Sequence, residues 1–168
     1  MLRKIAFVIA MFALPLGVMA QAKFGHLRSS EIITLMPKFT EAQAKLEAMG
    51  KQYQSELERT EAELNKKYQE FLQQVDSLPK NIAERRQKEI QDMAQRQEQF
   101  QKDVQQTMQQ AHNKEMEPIS KDLNAAIEAV GKAEGVVYIF DLDRMPIAYV
   151  GAQSIDLTAK VKAQLGIK

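Results

Sequence analysis

Asp141 and Asp143, one residue apart, form the sharpest acidic motif in the chain and could bind a cation. A calcium loop would need further acidic ligands and a glycine at its sharp bend, and neither follows. A turn between strands is the better reading of the pair. The two histidines, His26 and His112, fall on a predicted strand and a predicted helix with no acid–nucleophile set around them. The sequence has no Cys, which removes thiolate metal sites, thiol catalysis and disulfides. Neither G-x-x-x-x-G-K-[ST] nor G-x-G-x-x-G occurs, so nucleotide use has no visible machinery. No catalytic, metal-ligating or cofactor-binding residue is assigned, no cofactor is expected, and the chain is read as a non-enzyme.

The remaining charged and soft side chains have plainer readings. Lys66-Lys67 and Arg85-Arg86 are basic pairs, but carboxylates are interleaved throughout. With 23 Lys+Arg against 22 Asp+Glu in 168 residues, a solvated helix face explains them better than a nucleic-acid site. Met49, Met93, Met108 and Met116 recur through the middle of the chain. Packing along a helix seam is the bland account of them; an adaptable apolar surface for promiscuous contacts is the other.

These side chains sit on elements that periodicity makes visible. Arg3 and Lys4 precede an uncharged apolar run, Ile5 to Leu16, too short to span a bilayer. Val18-Met19-Ala20 and Ala20-Gln21-Ala22 offer small residues for cleavage, so residues 1–20 (to 22 with the second triplet) read as a secretory leader. Its removal takes the 23 basic residues to 21 against 22 acidic ones, a net charge of −1. From Phe39 to Leu78, apolar or near-apolar positions recur with a mean step of about 3.5 residues, including Leu46, Met49, Tyr53, Leu57, Leu64, Tyr68, Phe71 and Val75. Pro37 suits a first helical turn. Pro79 stops the helix, Ser77 to Asn81 reads as a tight turn, and Asn81 with Glu84 suggests a capping box for a returning helix. The returning seam (Ile82, Arg86, Ile90, Met93, Gln97, Phe100, Val104, Met108, Ala111) is weakened by Arg86 and Gln97. Acid-before-base pairs four residues apart, such as Glu41→Lys45, Glu47→Lys51, Glu63→Lys67, Glu98→Lys102 and Glu128→Lys132, each contribute about 0.2–0.5 kcal/mol to an exposed helix. The arm, residues 37–118 with its tip near 77–81, should reach roughly 60 Å. Pro118 is expected to kink the returning helix near Glu117 or to start a new one at Ile119, and so to act as a hinge.

Residues 23–36 and 119–168 make up the body. Lys23 to Leu27 reads as a short strand, with Ser29 or Ser30 capping a helix through Leu35. Val136 to Phe140 is the strongest strand signal, Asp141 to Pro146 a turn, and Ile147 to Val150 a second strand. Asp156 should cap a last helix with Leu157, Val161 and Leu165 on one face. The fold class is thus α+β and mostly helical: a long antiparallel helical hairpin projecting from a small β-containing body. About 64 residues is marginal for one core, and short apolar strands leave open edges. Phe24, Val136, Val137, Ile139, Phe140, Ile147, Tyr149 and Val150 are therefore candidates for an oligomerisation surface.

The leader, the short first strand, the hairpin and the terminal strand–helix segment together resemble the OmpH/Skp family of periplasmic chaperones. The resemblance rests on Lys23-Phe24-Gly25-His26-Leu27, Ser30-Glu31-Ile32, Met36-Pro37, Pro118-Ile119, Val137-Tyr138-Ile139-Phe140-Asp141, Ala148-Tyr149-Val150 and Ile155-Asp156-Leu157-Thr158. It implies a homotrimer whose strands form a small shared barrel, with three hairpins projecting as tentacles. It also implies an ATP-independent holdase in the periplasm that shields unfolded outer-membrane β-barrel proteins. Its partners would be copies of itself and those unfolded chains, with no nucleic acid, no nucleotide and at most peripheral membrane contact. Met49, Tyr53, Tyr68, Phe71, Met93, Phe100, Met108 and Met116 are then the candidate client contacts, with Pro79 at the tip and Pro118 at the hinge. A structural or adaptor coiled coil of the cell envelope is the alternative, and a secreted enzyme would need a polar constellation that the sequence does not show.

Overall fold

A computed structural model describes residues 22–167; the expected leader lies outside the described residues. The chain forms β1 (Phe24–Leu27), α1 (Ser29–Ile33), α2 (Pro37–Gln74), a 3-10 turn (Val75–Ser77), α3 (Lys80–Glu134), β2 (Tyr138–Asp141), β3 (Ile155–Asp156) and α4 (Thr158–Gln164). The class is α+β and mostly helical, with α2 and α3 forming a long helix pair beside a three-stranded sheet. No helix among the described residues is long and apolar enough to cross a membrane.

Pro37 opens α2 at its first position, where its missing N–H leaves no bond unmade. At the far end, α3 begins at Lys80 with Pro79 in the capping position and no side-chain cap. The expected Asn81–Glu84 capping box does not form. Pro79 supplies the start through its carbonyl, which accepts the N–H groups of Ile82 (2.9 Å) and Ala83 (3.0 Å). Helix α3 then continues unbroken through Pro118, so no new helix starts at Ile119. An interior proline costs about 3 kcal/mol. Directly after it, Ile119, Leu123, Ala126 and Val130 are all buried, and each large apolar side chain so buried returns about 1.5–3 kcal/mol. Gly135, at φ 64°, ends the helix in the left-handed conformation that glycine adopts without strain.

The sheet order is β2-β1-β3, with both neighbours parallel to β1. Phe24 stands opposite Tyr138, and Gly25 lies between Ile139 and Ile155. This overturns the expected strand hairpin. Because β2 and β3 both run with β1, the chain must travel back between them, and residues 142–154 make that return. Ile147 to Val150, expected as a strand, is part of this exposed connection, and the second flanking strand is Ile155–Asp156 instead. The strand expected over Val136–Phe140 starts two residues later and ends one later, since Val136 still belongs to the helix exit, its N–H bonded to the Gly131 carbonyl.

One face of the sheet packs on helices. Leu27, Ile32, Leu123, Ala126, Val130, Leu157 and Val161 form the main core, with Val136, Ile139 and Ile155 against it. A second cluster of Met36, Ala42 and Ile119 ties the root of α2 to α3. Gly25 lets β1 approach the start of α4 closely: a Cβ there would stand 2.5 Å from Leu157 Cδ1, and Leu157 is itself fully buried.

The aspartate pair is structural. Helix α1 starts at Ser29 with no side-chain cap of its own, contrary to the expected Ser cap. Asp141 Oδ1 accepts the Ser29 N–H (3.3 Å), while Asp143 Oδ2 accepts the Ser30 N–H (2.8 Å) and its hydroxyl (2.5 Å). Those Ser30 bonds hold the Asp143 carboxyl below its ordinary range. Asp156 accepts the Thr158 N–H at 2.9 Å and so starts α4 from two residues upstream.

Candidate functional site

Two apolar surfaces remain uncovered, one on the sheet and one along the helix pair. Alternation along β1 and β2 sends Gly25, Leu27 and Ile139 toward the helices and leaves Phe24, Tyr138 and Phe140 on the opposite face. Phe24 and Tyr138 stack with ring centroids 6.4 Å apart and planes 3° from parallel, and Phe140 lies 6.4 Å from Phe24 and 6.2 Å from Tyr138. Phe24 is 41% exposed and Tyr138 61%. In the return segment Ile147 and Val150 are exposed and Tyr149 is 84% exposed, all outside the core.

Of the eight candidate assembly residues, Phe24, Val137, Phe140, Ile147, Tyr149 and Val150 keep outward surface, whereas Val136 and Ile139 pack into the chain's own core. Tyr138 was missed. Its place two residues before Phe140, on the same strand face, is the signal that identifies it.

The second surface is the seam between α2 and α3. Ion pairs Lys38–Asp122 (2.5 Å), Lys45–Glu115 (3.1 Å) and Lys67–Glu89 (2.9 Å) cross it. Lys45 and Lys67 therefore bond to the opposite helix, not to the glutamates one turn before them. Glu47–Lys51, Glu98–Lys102 and Glu128–Lys132 form along the helix as expected. The hydrogen bond and charge of Lys67 lower the Glu89 pKa, and Glu89 raises that of Lys67.

Between the charges the seam is thin. Tyr53 and Phe100 meet edge to face at 6.3 Å, and Met108 Cε lies 3.9 Å from where a Cβ on Gly50 would stand. Arg86 donates to Gln74 Oε1 (2.7 Å) in place of an apolar contact. Gln97 Oε1 is enclosed without a hydrogen-bond partner beside an open groove of about 440 Å³, whose lining includes Leu64, Met93 and Phe100. From residue 43 to 118 no side chain is fully buried. Met49, Tyr53, Phe71, Met93, Phe100, Met108 and Met116 are all half-buried.

Tyr68 does not sit on the seam as its spacing suggested; it is exposed, and so is Leu72, one turn on, which the sequence reading missed. Positions 67 and 68 both continue the period from Leu64. The helix phase places Lys67 inward, where its ammonium reaches Glu89. Pro79 lies at the tip and Pro118 on an exposed part of α3. Among the described residues no three His, Asp or Glu side chains gather as a metal site would require. His26 Nδ1 instead lies 2.8 Å from Ser154 Oγ, and Nε2 lies 4.0 Å from Asp156, joining β1 to the β3 segment.

Comparison with known proteins agrees with this architecture. Residues 23–165 match the family model described as OmpH: Outer membrane protein (OmpH-like). No curated protein matches the chain. A solved crystal structure from Caulobacter crescentus CB15, described as an outer membrane chaperone (OmpH-like), superposes with a TM-score of 0.65 at 20% identity, covering 87% of this chain and 85% of that one. At that identity the likeness is one of fold.

Proposed function

This chain belongs to the OmpH-like outer membrane protein family, and from that footing we propose that it is an ATP-independent periplasmic holdase for unfolded outer-membrane β-barrel proteins. A chaperone role is what the family supports. The observation that carries the finer reading is the helix pair, whose residues 43–118 contain no fully buried side chain. Its methionines and aromatics are offered as a half-exposed surface. An unfolded β-barrel chain presents alternating apolar residues and unpaired strand edges that aggregate in water. Many weak apolar contacts from soft arms would shield such a chain without folding it, and release would need no nucleotide because no single contact is strong.

The same reading has the protein cross the inner membrane on a cleaved leader and act as a homotrimer. The aromatic face of Phe24, Tyr138 and Phe140, with the exposed Ile147, Tyr149 and Val150, supports a self-assembling body, since a sheet of three strands covered on one side leaves its other face unsatisfied. Sedimentation of the mature chain at low micromolar concentration should show no stable folded monomer.

The function is tested by suppression of aggregation of a denatured outer-membrane barrel protein, without ATP, across a salt series. With mature net charge near zero, suppression should weaken only modestly beyond 0.1 M salt, where the screening length is about 10 Å. No suppression at any salt removes the holdase reading. Loss of suppression by about 0.3 M keeps it and replaces apolar contact with long-range attraction as its cause.

A further inference from the structure

Every sulfur in the described chain is a thioether: there is no Cys, and Met36, Met49, Met93, Met108, Met116 and Met145 carry all the sulfur. Their positions are unequal. Met36 is enclosed at 4% exposure, and Met145 lies in the exposed return segment. The other four are half-buried along the helix pair, within reach of a small dissolved oxidant. Met108 covers Gly50, the glycine within α2, and Met93 lines the open groove next to Gln97, whose carbonyl oxygen already lacks a partner. Met116 packs against the cluster that roots the arm.

We propose that Met49, Met93, Met108 and Met116 are reversible oxidation sites through which a peroxide-class oxidant loosens the arm. The reaction is a two-electron oxygen transfer. A sulfur lone pair attacks one peroxide oxygen, the O–O bond breaks as the S–O bond forms, and the departing hydroxide takes the proton of the transferred oxygen and leaves as water. Sulfur is oxidised and peroxide reduced, with no other reactant.

The consequence follows from the seam's composition. A sulfoxide replaces a flexible apolar side chain with a strongly polar one, and an enclosed polar group without a partner disfavours the closed state. The seam has little apolar contact to lose: Arg86 and Gln97 have already taken seam positions, and nothing between residues 43 and 118 is fully buried. At Gly50–Met108 the contact is a methyl group against bare backbone, so a sulfoxide there meets no donor side chain on Gly50. The inference rests on the reading that the arms hold the client, and it makes that hold sensitive to oxidant and restorable by reduction.

The mature protein is treated with hydrogen peroxide, its sulfoxides are mapped by mass, and amide exchange is measured along both helices. Sulfoxide should appear at the four arm positions ahead of Met36. Amides flanking Gly50 and Met108 should then exchange roughly tenfold faster, the size expected for one poorly solvated polar group. Aggregation suppression should fall in parallel, and a methionine sulfoxide reductase supplied with a dithiol, which is oxidised to its disulfide as the sulfoxide oxygen leaves as water, should restore both. Replacing all four methionines by Leu, a volume-conserving change, should abolish the response; Met108→Leu alone should reduce it, and Met145→Leu should leave it intact. Oxidation of Met36 first, sulfoxide at the arm positions with unchanged exchange, or an undiminished response in the four-Leu protein each overturns the proposal. Untreated protein that suppresses no aggregation would remove the holdase reading alone, because amide exchange still reads the arm's response.

Discussion

Gly50 stands in the interior of a 38-residue helix, where a glycine is an anomaly with a measurable cost. In a helix interior it is about 0.8–1.0 kcal/mol less favourable than alanine, because its unfolded backbone has more freedom to lose. The structure shows no compensating need for it. Its φ is not positive, and a Cβ built there meets only Met108 Cε at 3.9 Å, an ordinary contact distance. Gly50→Ala should recover the propensity term and add part of the ~0.8 kcal/mol that a buried methylene contributes, a total of roughly 1–1.5 kcal/mol. That corresponds to amide exchange slowed by roughly 5- to 13-fold for opening reactions that unwind the middle of the arm. Native-state exchange on α2 near Gly50 and on α3 near Met108 reads this directly, and β1 and β2 serve as an unaffected reference. Unchanged or faster exchange would refute the reasoning, since it would mean that the two helices need bare backbone at this level.

The opposite outcome is expected at the other close contact. Gly25→Ala drives a Cβ into the fully buried Leu157 and should destabilise the body by about 1–3 kcal/mol in denaturant unfolding. Ile119→Ala, at 0% exposure directly after Pro118, should cost about 2–5 kcal/mol and should raise exchange in α3 around Pro118 above that of the wild type. Asp143 has its folded pKa held below the ordinary 3.8 by the Ser30 bonds. Its contribution is thus present above that value and is lost as pH falls from there through the depressed pKa. Urea melts across this acid range should show Asp143→Asn less sensitive to acidification than wild type.

The long helices were legible because their cause is local and repeated. An apolar step near 3.5 residues, a proline at the first turn and no Gly or Pro from Lys51 to Leu78 specify α2 without reference to anything distant, and the paired return follows from Pro79. The main limit on reading the arm was phase: a mean step cannot say whether residue 67 or 68 faces inward, and that was decided by Lys67 finding Glu89 on the other helix. Short elements lacked such redundancy. Ile147–Val150 has strand-like residues, but β2 and β3 both lie parallel to β1, and the chain between them has to run back as a connection. Ile155–Asp156 is too short to announce itself, and it becomes a strand because β1 presents an edge to it and the Leu157 N–H reaches the His26 carbonyl at 2.8 Å. The aspartate pair could be read from sequence as a turn, but its second task, supplying the missing caps of α1 more than a hundred residues earlier, exists only once the sheet places Asp141 beside Leu27. Periodicity along one segment is set by that segment's own residues. Pairing, register and the choice of uncovered face depend on which distant groups arrive beside it, and only the tertiary structure decides that.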